Sequence, residues 1–277
     1  MPEGDTLFRS ARSLRDALLH QTVVAFRSPL PRVANEAERL QVVGSEVAMV
    51  DARGKHLLIA FSVGALLRTH LQMTGSWHVY RPGSPWQKPA HRAGVVLETE
   101  RAIAVCFSAP TVELVPCHPS GEVPALGHLG PDILSDTFDL ADAVRRLRQR
   151  SDVEIAVALL DQTALAGIGN VYKSEVLFLC GVDPFALVGD LAEEVLSHLI
   201  ETAYQQMRRN LLSDMRRTTA VDAPHRLWVY GHTNDPCQRC GRPIRGRRQG
   251  LQARFTYWCP GCQPAAVIVE SDLDQYG

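Results

Sequence analysis

Apolar positions recur along the chain with two different periods, and the switch between them divides it. Over residues 6–20, Leu7, Ala11, Leu14 and Leu18 fall three or four apart, which predicts an amphipathic helix, with Asp5 or Thr6 as its cap. From residue 22 to about 114 the pattern shortens to β-rich runs divided by Gly, Pro and charged turns. The clearest runs are 47–51, 56–61, 66–71, 94–99 and 102–107, with Glu100-Arg101 as a hairpin tip. Several short strands behind one leading helix predict a two-sheet sandwich. Residues 81–89 read as a loop by composition. Beyond residue 130 the helical period returns over 140–150, 152–161, 171–180 and 191–211.

The expected class is therefore α+β, without internal repeats. A β-sandwich with a leading helix occupies 1–117. A linker follows over 118–135, drawn from the Pro-, Gly- and His-rich stretch 116–130. A helical domain covers 136–225, a cysteine-bearing hairpin module 226–266 and a tail 267–277.

Composition narrows the class. The chain has 277 residues, 45% of them apolar, enough for sizeable cores. No apolar run approaches the ~18–20 residues of a membrane span, and the start lacks the basic-then-apolar pattern of a signal peptide. The expectation is an intracellular soluble protein with no membrane partner. Of seven cysteines, Cys106, Cys117 and Cys180 are scattered and read as reduced thiols, the first and last in cores.

A net charge of −1 argues against a nucleic-acid partner until its distribution is seen. Arg208, Arg209, Arg216, Arg217, Arg226, Arg239, Arg242, Arg245, Arg247, Arg248 and Arg254 face only Asp214, Asp222 and Asp235 over the same span. That basic third fits a one-sided footprint for an anionic polymer, or a solvated arginine-rich surface.

Candidate chemistry sits at both ends. Trimming of Met1 before a small residue leaves Pro2 as a free secondary amine, with a reference pKa of ~7.7–8.0 and so partly unprotonated at neutral pH. Such an amine can attack an electrophilic carbon and form an iminium, and Glu3 places a general acid or base beside it. At the other end, Cys237-x-x-Cys240 and Cys259-x-x-Cys262 are separated by eighteen residues, the spacing of a four-cysteine zinc site, with iron as the alternative. Four thiolates leave no open coordination position, so one structural Zn²⁺ per chain is expected. Between the pairs, an arginine-rich ribbon alternates as a hairpin that places Arg254 near its turn.

Three shorter stretches stand between. Gly167-Ile168-Gly169-Asn170 precedes a predicted helix, whose first N–H groups can hold an anion. Lys173 follows, one of only three lysines in an arginine-biased chain. Arg53-Gly54-Lys55-His56 reads as a turn presenting the Lys55 ammonium outward. His70-Leu71-Gln72-Met73-Thr74-Gly75 places apolar groups after a strand, as wedges for a vacated base or as core residues.

The start Pro2-Glu3-Gly4-Asp5-Thr6, the Gly167–Glu175 stretch and the cysteine hairpin together resemble the formamidopyrimidine-DNA glycosylase / endonuclease VIII family, closer to bacterial endonuclease VIII. The resemblance runs from Pro2 to Cys262. It implies a helix–two-turns–helix DNA-binding domain, a zinc-finger hairpin, and a bifunctional DNA glycosylase/AP lyase of base-excision repair acting on oxidised pyrimidines. By it, Pro2 is the nucleophile and Glu3 its proton-transfer partner. Lys55 contacts phosphate at the damaged site, and Asn170 and Arg254 hold phosphates. Lys173, singled out by its rarity and not by the resemblance, is a further DNA-binding candidate. Met73 fills the hole left by the extruded base, with Leu71 and Gln72 beside it. The implied partner is damaged DNA, with no nucleotide cofactor, for a monomer in the bacterial cytoplasm associated with the nucleoid.

Two departures bear on the lesion. Leu71-Gln72-Met73 looks more like the formamidopyrimidine branch, which leaves oxidised purines such as 8-oxoguanine as an alternative. Phe107–Leu114 lacks that branch's Arg-Phe loop and looks like the endonuclease VIII branch. A non-catalytic zinc-finger DNA-binding protein is the reading from another class.

Overall fold

The computed structural model describes residues 2–117, 123–213 and 215–265. Its first helix, α1 (Gly4–Leu18), buries Leu7, Ala11, Leu14 and Leu18 as one stripe, as their spacing predicts. It starts earlier than expected, and neither Asp5 nor Thr6 caps it. Glu3 holds the N-cap position, its carbonyl taking the N–H groups of Thr6 and Leu7. Its side chain makes no cap bond in α1 and is engaged elsewhere.

The stripe packs into a core shared by two antiparallel four-stranded sheets. The first contains β1 (Ala25–Arg27), β5 (Ser76–Tyr80), β6 (Ala93–Glu98) and β7 (Ile103–Phe107), in the order β1-β6-β7-β5. The second contains β2 (Val47–Arg53), β3 (His56–Phe61), β4 (Ala65–His70) and β8 (Thr111–Pro116), in the order β2-β3-β4-β8. The five expected strands are all present, and the hairpin tip at Glu100-Arg101 joins β6 to β7. Strands β1, β5 and β8 and the helix α2 (Pro31–Arg39) were not legible. β1 is three residues long, β5 carries Ser76 and His78 among its apolar positions, and α2 opens on a proline that reads locally as a turn but suits a helix's first position.

A second core joins α3 (Leu140–Arg148), α4 (Ile155–Ala158), α5 (Asn170–Leu179) and α6 (Glu193–Arg209). The helix expected over 152–161 is only α4. The N–H groups of Ile155 and Ala156 bond across to Ala186 and Pro184, and the Asp161 carboxylate turns the chain by accepting from Thr163.

The cysteine module docks on α5 through Phe178, Val229, Ile244, Cys237 and Cys259. Its hairpin pairs β9 (Arg245–Gln249) with β10 (Arg254–Trp258), Arg254 opposite Gln249 at the turn end. The buried Glu175 carboxylate accepts the N–H groups of Trp228, Val229 and Tyr230 and fixes the segment entering the module. Cys106 lies in the sandwich core, and Cys180 is half-buried with its sulfur on Thr202. Part of the expected linker and all of the expected tail lie outside the described residues. Among the described residues no helix is long and apolar enough to cross a membrane.

Candidate active site and nucleic-acid interface

Pro2 lines a cleft of about 350 Å³ where the sandwich, α5 and the hairpin meet. The amino-terminal turn is pinned there by the Gly4 N–H on the Gly167 carbonyl, at 3.0 Å. Lys55, His70, Gln72 and Met73 enter from the sandwich, Gly169 and Asn170 from the start of α5, and Gln252 and Arg254 from the hairpin. Residues far apart in sequence thus share one cavity.

Glu3 is fully buried. Its carboxylate accepts from the backbone N–H of Val171 at 2.7 Å, Gly169 at 3.1 Å and Tyr172 at 3.3 Å. The helix N-terminus that the Gly-x-Gly-Asn stretch was expected to offer to an external anion is therefore filled by the chain's own carboxylate. Gly169 permits this approach, since a Cβ there would stand 2.4 Å from Glu3 Cδ.

Lys55 is turned inward and half-buried, not displayed as a solvated turn charge. Its turn takes a left-handed glycine, Gly54 with φ +58°, whose N–H donates to Asp132 Oδ2 at 2.6 Å. Burial brings the Lys55 ammonium down to a pKa of about 8; the Glu3 charge opposes that shift and Arg254 adds to it. His70 is likewise lowered, by burial first and then by Lys55 and Arg68.

The expected DNA-contacting residues divide. Arg254 is exposed at the cleft rim. Asn170 borders the cleft, but its Nδ2 donates to the Phe255 carbonyl at 2.8 Å and its Oδ1 accepts from Lys173 at 2.7 Å. Lys173 is 1% exposed, and its ammonium also donates to Thr256 Oγ1 at 2.8 Å. It therefore braces Asn170 against the hairpin instead of meeting DNA directly. Burial lowers its pKa to about 7, with Glu3 opposing and Arg254 assisting.

The 71–75 turn splits the wedge candidates. Leu71 is 1% exposed and belongs to the sandwich core, so it is not a free wedge. Gln72 takes φ +46°, and Met73 projects from the turn, 62% exposed. Gly75 allows the tight return, because a Cβ there would lie 2.7 Å from the Leu71 carbonyl oxygen.

The four predicted cysteines converge, all their sulfurs within 4.8 Å of one another. Cys237–Cys262 and Cys240–Cys259 separations are 3.9 and 3.4 Å. A tetrahedral zinc with ~2.3 Å bonds requires sulfurs ~3.8 Å apart, so the donor set fits. The sequence assigned no site role to His70 or Gln252, gave Asp5 only as a helix cap and counted Arg216 only among the basic residues. His70 stood inside a quoted stretch, but the Asp5–Arg216 pairing spans most of the chain and leaves no local signal.

The family model described as the formamidopyrimidine-DNA glycosylase N-terminal domain matches residues 1–111, and the one for its H2TH domain matches residues 129–221. A Streptomyces coelicolor protein named probable endonuclease 8 2 is 41% identical over 95% of this chain and 94% of its own. A Mycolicibacterium smegmatis protein named DNA-(apurinic or apyrimidinic site) lyase Nei2 is 37% identical over 96% of this chain and all of its own. The fold matches Lactococcus lactis formamidopyrimidine DNA glycosylase bound to DNA containing an abasic site, with a TM-score of 0.78, 24% identity, and 95% and 99% of the two chains covered.

Proposed function

The chain belongs to the formamidopyrimidine-DNA glycosylase and endonuclease 8 family, and on that premise we propose how its residues carry the reaction and which lesions it takes. It is a DNA glycosylase/AP lyase of base-excision repair acting on damaged DNA. The Pro2 nitrogen attacks C1′ of the extruded nucleotide, and the damaged base leaves. Glu3 delivers a proton to the sugar ring oxygen as the ring opens to the iminium. The iminium acidifies the C2′ proton; its loss expels the 3′ phosphate, and a second elimination expels the 5′ phosphate. Lys55 and Arg254 take the phosphates flanking the site, and Met73 occupies the vacated stack.

The observation that carries this reading is the pinning of the amino-terminal turn at the cleft, with Glu3 held behind Pro2 by the N-terminus of α5. An ordinary chain end frays and needs no such anchoring. Cys237, Cys240, Cys259 and Cys262 would hold a structural Zn²⁺ that closes the hairpin bearing Arg254.

Oxidised pyrimidines are the proposed lesions. The β7–β8 connection supports this, because it leaves only residues 108–110 where the Arg-Phe loop of the formamidopyrimidine branch would stand. Incubation of the untagged protein with duplexes carrying an oxidised pyrimidine or 8-oxoguanine tests it. Faster release of the pyrimidine is expected, and preferential release of 8-oxoguanine would overturn the assignment.

A further inference from the structure

The Glu3 carboxylate is held by two elements, and only one of them is α5. The other supplies Arg216, from the segment after α6, its side chain 13% exposed. Its Nε donates to Asp5 Oδ2 at 3.0 Å, and its Nη2 bonds Asp5 Oδ1 as well and donates to Thr6 Oγ1 at 3.2 Å. Nη1 lies 3.7 Å from Glu3 Oε1. The guanidinium also stacks on the Tyr172 ring, 4.8 Å from its centroid, and the Tyr172 hydroxyl donates to the same Asp5 at 3.1 Å. One planar cation therefore touches Glu3, Asp5 and Thr6 of the amino-terminal turn and the first turn of α5.

Stability alone accounts poorly for this arrangement. Glu3 and Asp5 are both fully buried, and buried ion pairs commonly return little more than their desolvation cost. The five-donor fork of an arginine does, however, fix the relative placement of two carboxylates, which a lysine point charge does not. We propose that Arg216 is a positioning residue for the lyase chemistry, holding Glu3 and the amino-terminal turn in register with the first turn of α5. This rests on the Pro2–Glu3 reading above. It also links the placement of the nucleophile to the 215–226 segment, whose exposed Met215 and Val221 lie outside the cleft lining.

The test compares the untagged wild type with Arg216→Gln and Arg216→Lys in single-turnover cleavage of abasic-site duplex at saturating enzyme, alongside DNA affinity and melting temperature. Arg216→Gln is expected to slow cleavage roughly 10–100-fold at nearly unchanged affinity, with Arg216→Lys between it and the wild type. In a Glu3→Gln background, Arg216→Gln should then change the rate by less than about twofold, because both act through one group. A wild-type rate in Arg216→Gln overturns the proposal. So does a slowing that adds in full to that of Glu3→Gln, or one matched by an equal loss of affinity. If Arg216→Gln does not fold, Arg216→Lys carries the same comparison. Cleavage retained by Pro2→Gly would overturn the underlying reading, and is seen without touching Arg216.

Discussion

Adding one methyl group at Gly169 tests the carboxylate cage with little other disturbance. The Gly169 backbone is extended, φ −124° and ψ −164°, so alanine carries no conformational penalty there. The new Cβ would lie 2.4 Å from Glu3 Cδ and 2.6 Å from its Oε1, whereas ordinary contact begins at 3.4 Å. Glu3 must retreat by about 1 Å, the difference between 3.4 and 2.4 Å. Its bonds from Gly169 and Tyr172, already 3.1 and 3.3 Å, cannot survive that retreat. A displacement of this size at a reacting group costs on the order of 10²-fold in rate, equivalent to ~2.7 kcal/mol of barrier. Single-turnover cleavage of abasic DNA by Gly169→Ala should therefore fall about a hundredfold, while DNA affinity stays near the wild type, because the proposed phosphate contacts of Lys55 and Arg254 are left in place. A Gly169→Ala rate within about threefold of the wild type would show that the position of Glu3 is not critical to the chemistry.

The ammonium of Lys55 is lost as pH rises through about 8, so DNA affinity should drop across that range in the wild type and stay flatter in Lys55→Met. Between about 8 and the ordinary ~10.4 the unfolded chain binds more protons at Lys55 than the folded one. The free protein therefore gains stability with pH across that window, a rise that thermal melting should find absent in Lys55→Met. Leu71→Ala should cost ~2–5 kcal/mol of stability as a core truncation, whereas Met73→Ala should melt like the wild type and excise damaged bases more slowly; the opposite pattern in melting and excision assays would reverse their roles. Stripping zinc with a chelator should abolish DNA binding and leave the helical circular dichroism largely intact, and Arg254→Ala in the zinc-loaded protein should lower the salt slope of binding by about one.

The sandwich and the four-helix domain were legible because Leu7, Ala11, Leu14 and Leu18, and the strands 47–51 and 56–61, carry strong local periods. The cysteine quartet was legible because its spacing is itself chemistry. What the sequence did not disclose arises from long-range packing. Whether Leu71 is a wedge or a core residue depends on the turn at Gln72 and Gly75, and Lys173 is buried by a hairpin some eighty residues later. The N-terminus of α5 looked like a site for an external phosphate, and only the fold shows Glu3 occupying it. Lys55 followed the same logic: a turn lysine reads as solvated until the neighbouring domain closes over it.

Once Met1 is removed, as the proposed mechanism requires, the cleft holds two amines, Pro2 and Lys55, and the lowered pKa of Lys55 makes it the rival nucleophile. The most direct measurement is borohydride trapping of the untagged protein on abasic-site DNA, followed by proteolysis and mass spectrometry of the adduct. The account predicts that the reduced sugar fragment sits on the amino-terminal peptide, at the nitrogen of Pro2, with Met1 removed. An adduct on the Lys55 peptide, or a retained Met1 in a protein that still traps, would contradict it.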